Sequence, residues 1–123
     1  MSLQNGMFIL GYVVVLGVFI VCMQYRLAND RIKRLQKEVE ELQKVGGALK
    51  PGGCVATLEF VPNEDRVSPP MPAAFSMTML TSTASGDAHT FRELSDMHDR
   101  AGFTAVSEDP IPMSPQTVVM AKA

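Results

Sequence analysis

Residues 7–23 read MFILGYVVVLGVFIVCM, and this stretch decides how the rest of the chain is arranged, because it carries no charged side chain. As a helix rising about 1.5 Å per residue it covers roughly 26 Å, close to the roughly 30 Å hydrocarbon core of a bilayer. We therefore expect a retained transmembrane helix within residues 1–24. One alternative is a cleavable signal peptide, but residues 1–6 lack the basic side chains that usually begin one. The other is a buried core helix, which would need a larger surrounding domain.

The charges beside this stretch lie on one side only. Five basic residues follow it closely and none precedes it: Arg26, Arg31, Lys33, Arg34 and Lys37. Because Lys and Arg resist translocation, a single-pass topology with the N-terminus outside and the C-terminal part in the cytoplasm is predicted. The basic side chains would contact membrane lipid, and a reducing compartment disfavours a disulfide between Cys22 and Cys54.

Residues 25–46 show the periodicity of an amphipathic or coiled-coil helix. Apolar residues recur at spacings of three and four: Tyr25, Ala28, Ile32, Leu35, Val39 and Leu42. One interpretation is a parallel homodimer through Ile32, Leu35, Val39 and Leu42. β-Branched residues at heptad position a, here Ile32 and Val39, favour a coiled coil of two parallel helices. A single amphipathic helix that packs on another protein explains this short pattern equally well. Gly46 and Gly47 are predicted to end the helix.

Residues 47–123 predict a small α/β domain. The predicted strands are Cys54–Val61, Phe103–Glu108 and Thr117–Ala121. The first strand is mostly apolar, so we expect it to be buried on both faces. One short helix is predicted at Ala73–Ser82. A second, from Phe91 to Arg100, begins at the capping box TFRE (90–93), in which the Thr hydroxyl and the Glu carboxylate each accept a backbone N–H.

Charge and residue spacing disfavour two classes of partner. From Gly46 onward the chain has five Lys and Arg against nine Asp and Glu, a balance that repels nucleic acid. His89 and His98 are expected to face solvent. Neither they nor the two cysteines have the spacing of metal ligands.

The order of short motifs in residues 48–123 resembles the C-terminal portion of class I S-adenosylmethionine-dependent O-methyltransferases. The matching pieces are ALKPGG (48–53), VATLEFVP (55–62), SMTML (76–80), GDAHTFREL (86–94), DRAGF (99–103) and PQTVVMAKA (115–123). The resemblance implies a partial Rossmann-like segment of three strands and one or two helices. These strands would be the fifth, sixth and seventh of a seven-stranded sheet, with the seventh between the other two.

The resemblance also implies roles for individual residues. Glu59 matches a carboxylate that orients the family's catalytic His, although a strand-end Glu facing solvent is the alternative. Met79 matches a substrate-contacting methionine, with core packing as the alternative, and Phe75 on the same helix is the second candidate for substrate contact. S-adenosylmethionine is the implied cofactor, but we expect this chain alone to bind none, since it has no G-x-G-x-G turn. The family's catalytic His lies upstream of ALKPGG, and Ala88 stands where plant members have a second acidic residue.

Two functions remain open at this point. The chain is either the membrane-anchored C-terminal part of an O-methyltransferase, inactive without a second subunit that supplies the cofactor half, or a non-enzymatic single-span accessory subunit that stabilises a larger membrane complex. A gene fusion with a passenger methyltransferase tail is a further alternative. In each case the strand that begins at Cys54 would have an apolar edge that needs a cover.

The apolar stretch at residues 7–23 gives the first test. We expect the chain to stay in the membrane pellet after carbonate extraction, because transferring the apolar helix into water is unfavourable. Immunoblots of pellet and supernatant measure this. A chain recovered in the supernatant would contradict the anchor.

Overall fold

The computed structural model describes residues 3–84 and 86–123. The elements follow in the order α1 (Leu3–Ala48), β1 (Cys54–Glu59), α2 (Pro70–Ser82), α3 (Phe91–Arg100), β2 (Thr104–Pro110) and β3 (Thr117–Lys122). They form two compact units, Met1–Arg34 and Leu35–Ala123, and α1 contributes residues to both. We call the second the C-terminal unit.

The first unit is the N-terminal part of α1, and its large apolar side chains are exposed from Met7 to Leu27. Within Gly6–Ala48 the helix is long and apolar enough to cross a membrane, and none of its most apolar window is buried. Length and composition make it a candidate span, as they would a signal sequence or a helix of a soluble protein. Cys22 in this unit and Cys54 in β1 are both exposed free thiols.

The C-terminal unit is built on a three-stranded antiparallel sheet in the order β1-β3-β2. Cys54 pairs with Lys122 and Glu59 with Thr117, so β3 runs the full length of β1. The β2–β3 ladder is interrupted between Thr104 and Ser107, where Ala105 adopts a φ of 50°. The three predicted strands are confirmed, and their order is the one that the resemblance implies.

The core of this unit lies on one face of the sheet. Val119 and Ala121 of β3 are completely buried, and Val119 clusters with Val61, Leu94 and Met97. Three side chains of α1 pack against the cluster: Leu35, Val39 and Leu42. Three of the four residues predicted to form a homodimer seam thus contact the chain's own core, and the homodimer stays a prediction.

The prediction that β1 is buried on both faces is wrong. Its side chains alternate between exposed and half-buried positions, as in a sheet with one solvated face. Leu58 is 52% exposed, and Met120 on the same face of β3 is 38% exposed. The described helices leave this face partly uncovered, so an apolar strand sequence here does not indicate burial on both sides.

The predicted helix end at Gly46 and Gly47 is also wrong, because α1 continues to Ala48. Gly46 lies against the buried ring of Phe103, and a Cβ at this position would stand 3.3 Å from its Cζ. Packing against the ring therefore extends the helix past two residues of low helix propensity. The chain turns at Gly52, which has a φ of 78°.

The second and third helices occur as predicted. α2 begins three residues earlier than expected, at Pro70, a residue suited to the first helical position because its missing N–H has no partner there. α3 has the predicted bounds and a complete capping box between Thr90 and Glu93. Leu94 and Met97 are buried on its inner side.

The capping box predicts the effect of Thr90→Ala. Loss of the hydroxyl leaves the Glu93 N–H without its acceptor, so we expect α3 to lose about 1 kcal/mol of stability. Amide hydrogen exchange in the first turn of α3 measures the loss. Thr90→Ser retains the hydroxyl and should behave like the wild type. Equal protection in the Ala and Ser variants would refute the role of the cap.

Candidate functional site

A cleft of about 480 Å³ opens between α1, β1 and α3 within the C-terminal unit. Its floor is mainly apolar and is lined by Leu42, Val45, Val55, Leu94 and Met97. Four carboxylates line it as well: Glu38, Glu41, Glu59 and Asp87. The volume lies within the range of small-molecule pockets, and we call this cavity the acidic cleft.

Glu59 is the predicted site residue that the structure places in the acidic cleft. It stands at the end of β1 and is half-buried, and its role as an orienting carboxylate stays a prediction. Burial raises the pKa of its carboxyl group above the usual value, while nearby His89 opposes the shift and Glu38 adds to it. Among the residues that the structure describes, no hydrogen bond or ion pair is made by this carboxylate.

The loop after β1 is organised around Asp65. Its carboxylate accepts hydrogen bonds from the backbone N–H groups of Val67 and Ser68 and from the Ser68 hydroxyl. The bond from the Ser68 N–H is the main cause that lowers the pKa of Asp65. Arg66 adopts a φ of 56° in this turn, a conformation that non-glycine residues seldom take.

The turn directs the Arg66 guanidinium at the residues that precede and begin α3. Nη2 donates to both oxygens of Glu93, at 2.7 and 2.8 Å. Nη1 donates to Asp87 and to the Ala88 carbonyl, both at 3.3 Å. Asp87 also accepts a 2.7 Å hydrogen bond from Ser76 of α2. Two-pronged pairing of this kind fixes position as well as charge, so the loop, α2 and the start of α3 are held together.

The prediction that His89 faces solvent is wrong. Its side chain is 15% exposed, with Nε2 3.0 Å from a Glu38 oxygen and Nδ1 3.7 Å from Glu93. Both ring nitrogens thus face carboxylates. His89 therefore connects α1 to α3 at the acidic end of the cleft.

The same prediction is wrong for His98, which is 1% exposed. Its Nδ1 lies 2.7 Å from the Leu94 carbonyl. A carbonyl only accepts, so Nδ1 carries the proton and Nε2 is left as an acceptor. Nε2 is buried and makes no hydrogen bond in the described part of the chain. The ring meets Phe103 edge-on, with centroids 5.7 Å apart.

Phe75 and Met79, the predicted substrate-contacting residues, are not brought to the acidic cleft. The Phe75 ring stacks on Phe60 at a centroid distance of 4.3 Å. Met79 is half-buried, and its carbonyl accepts hydrogen bonds from the N–H and the hydroxyl of Thr83. These two residues do not line the cleft, and their contact with substrate stays a prediction.

Sequence reasoning missed Arg66, Asp87 and both histidines. One local signal was available for two of them, because Asp87 and His89 immediately precede a strong capping box and must lie at the N-terminal end of α3. Nothing local indicates Arg66, whose partners are 21 and 27 residues away. In the described residues, no group of three or more His, Cys, Asp and Glu is arranged to hold a metal ion.

No protein-family model and no curated protein matches this sequence, whereas solved structures do. A protein assigned as an O-methyltransferase from Nostoc punctiforme is 38% identical, with a TM-score of 0.69, over 72% of this chain and 27% of that one. The chain contains a partial O-methyltransferase segment. An O-methyltransferase family protein from Burkholderia thailandensis is 31% identical, with a TM-score of 0.58, over 68% of this chain and 24% of that one.

Human N-acetylserotonin methyltransferase in complex with S-adenosylmethionine shares the fold at 24% identity, with a TM-score of 0.65, over 72% of this chain and 25% of that one. The chain thus spans about a quarter of the length of the structures it matches. The match covers 72% of this chain, whereas residues 48–123 make up less than two thirds of it. The O-methyltransferase segment therefore includes part of α1.

The described residues do not fit S-adenosylmethionine. Doubly wound sheets bind a nucleotide at a glycine-rich turn that leads from a strand into a helix. Gly52 and Gly53 instead precede β1, and Gly86 precedes the capping box without following a strand. The helix that follows β1 begins at two prolines, which have no N–H to donate.

The raised pKa of Glu59 predicts how Glu59→Gln changes with pH. A carboxyl group whose folded pKa is raised adds stability below its unfolded pKa and loses it as the pH rises through the folded value. At pH 7 we expect the variant to be more stable by about 0.5 kcal/mol, a figure reduced for solvent screening. The difference should disappear near pH 4.

Amide hydrogen exchange at Val119, corrected for intrinsic rates, measures the free energy of opening. Glu64→Gln removes an exposed carboxylate outside the cleft and is the matched control. A Glu59→Gln variant that is less stable than the wild type at pH 7 would contradict the assignment of burial as the main cause.

Proposed function

We propose that this chain is the membrane-anchored C-terminal part of an S-adenosylmethionine-dependent O-methyltransferase, and that it needs the cofactor-binding part from a second polypeptide. In such enzymes the cofactor supplies the methyl group that is transferred to a hydroxyl oxygen. The observation that carries the proposal is the likeness of the C-terminal unit to about a quarter of several O-methyltransferases. The apolar helix would hold this unit at the cytoplasmic side of a membrane.

The sheet supports a partner of this kind. β1 pairs with β3 alone, so one edge of β1 has unpaired N–H and C=O groups in the described structure. Leu58 and Met120 leave an apolar face partly exposed beside it. An open strand edge is a template for another strand, and the remainder of a methyltransferase sheet would cover both features. Glu59, at the end of the same strand, would then face the joined site.

We expect the chain alone not to bind S-adenosylmethionine, because its described residues form no site that fits this cofactor. Calorimetry on the detergent-solubilised chain measures this, and binding at micromolar affinity would contradict the proposal. A truncated Nostoc punctiforme protein that lacks the matched segment supplies the missing part. We expect it to copurify with this chain and the pair to bind the cofactor.

The intact Nostoc protein is the control, because its own segment already fills the sheet edge, and it should not capture the chain. Capture of both proteins alike would point to non-specific apolar contact and would refute the paired sheet. Failure of the truncated protein to bind the chain would do the same.

A second candidate is a non-enzymatic accessory subunit whose helix docks on larger membrane proteins. The exposed apolar side chains of the first unit favour it. Mild detergent extraction separates the two candidates: a copurifying methyltransferase part supports the first, and a large membrane complex without one supports the second.

A further inference from the structure

The acidic cleft has two chemically different ends. His89 and Glu38 pair at one end, near Glu59, whose pKa is raised by burial, lowered by His89 and raised further by Glu38. At the other end, Gly46 contacts the Phe103 ring, which in turn meets His98. From Glu38 to Val45 the helix rises about 10 Å, so the two ends are separated by the length of a small aromatic molecule.

The charge of the cleft is strongly negative. Four carboxylates line it, and the other titratable residues in the lining are two histidines, His89 and His98. Arg66 pairs with Asp87 and Glu93 from outside the lining. Glu59 makes no hydrogen bond or ion pair among the described residues; burial disfavours its charge, and nearby His89 offsets only part of that effect. A ligand cation would stabilise the ionised carboxylate.

A second group, independent of these charges, also lacks a partner. Nε2 of His98 is an acceptor without a donor, and its ring lines the cleft at the end away from His89. The surrounding side chains bury this nitrogen. Met97 lies next to it in the lining, and an unbranched thioether side chain adapts easily to a ligand. A buried acceptor without a donor costs stability, so a donor brought by a ligand would be favoured.

We propose that the acidic cleft binds a hydroxylated arylalkylamine. The ammonium group pairs with Glu59, the aromatic ring lies on the apolar floor formed by Leu42, Val45, Val55, Leu94 and Met97, and the hydroxyl donates to Nε2 of His98. Each part of this ligand meets a group that the chain leaves unmatched. The site belongs to the C-terminal unit alone and needs neither S-adenosylmethionine nor the methyltransferase proposal.

Three probes test the proposal on the full chain in detergent by calorimetry. Tyramine carries the ammonium group, the ring and the hydroxyl. Phenethylamine lacks the hydroxyl and should bind roughly fivefold more weakly, the loss expected for one hydrogen bond. The compound 3-(4-hydroxyphenyl)propionate replaces the ammonium by a carboxylate and should show no binding at about 1 mM.

Variants and NMR assign the contacts. Glu59→Gln should weaken tyramine binding at least tenfold, whereas Glu64→Gln, outside the cleft, should leave it unchanged. The ¹⁵N shift of His98 Nε2 should move with tyramine and not with phenethylamine, a readout that needs no change to this buried residue.

Several outcomes would overturn the site. The proposal fails if tyramine does not bind, if the propionate binds as well as tyramine, or if the two glutamine variants behave alike. The hydroxyl contact is refuted if the ¹⁵N shift of His98 Nε2 responds equally to tyramine and phenethylamine. Because no probe involves S-adenosylmethionine, each of these results is separable from failure of the cofactor experiment above.

Discussion

The arrangement of the C-terminal unit depends on the contacts of the Glu93 carboxylate. One of its oxygens accepts the Thr90 N–H and closes the capping box, and both oxygens accept from Arg66. The same group lies within ion-pair distance of His89, which reaches Glu38 of α1. A single side chain thus fixes the start of α3 relative to the loop after β1 and the acidic end of the cleft. Partial burial makes such charge-assisted bonds stronger than exposed ones.

The parts of this unit that follow local rules were predictable from the sequence. The capping box gave the start of α3, and turn residues together with β-branched runs located all three strands. Predictions failed where distant residues override local preference. Phe103 carries α1 past Gly46, and the sheet covers one face of β1 while leaving Leu58 exposed. Neither effect has a signature within a window of ten residues.

Predictions for the candidate site also succeeded where a local motif was informative and failed where distant contacts decide. Glu59 was identified through its motif, and the structure places it in the cleft. Phe75 and Met79, chosen by the same resemblance, do not line the cleft. Phe75 packs against Phe60, and substrate contact by the two residues stays a prediction. The histidines were misjudged since polar residues on a short helix usually face water. His98 is buried because its Nδ1 finds an acceptor within its own helix, a solution that sequence spacing permits but does not indicate.

The position of β3 in the sheet also orders the events of synthesis. β3 is the last of the three strands to leave the ribosome, yet it lies between the other two. β1 and β2 share no hydrogen bonds, so neither ladder exists until residues 117–122 are available. Before that moment β1 has no strand partner, and the interval is long because more than fifty residues separate β1 from β3. The nascent chain therefore spends this interval with an apolar strand unprotected, when a chaperone or a membrane surface has the best access to it.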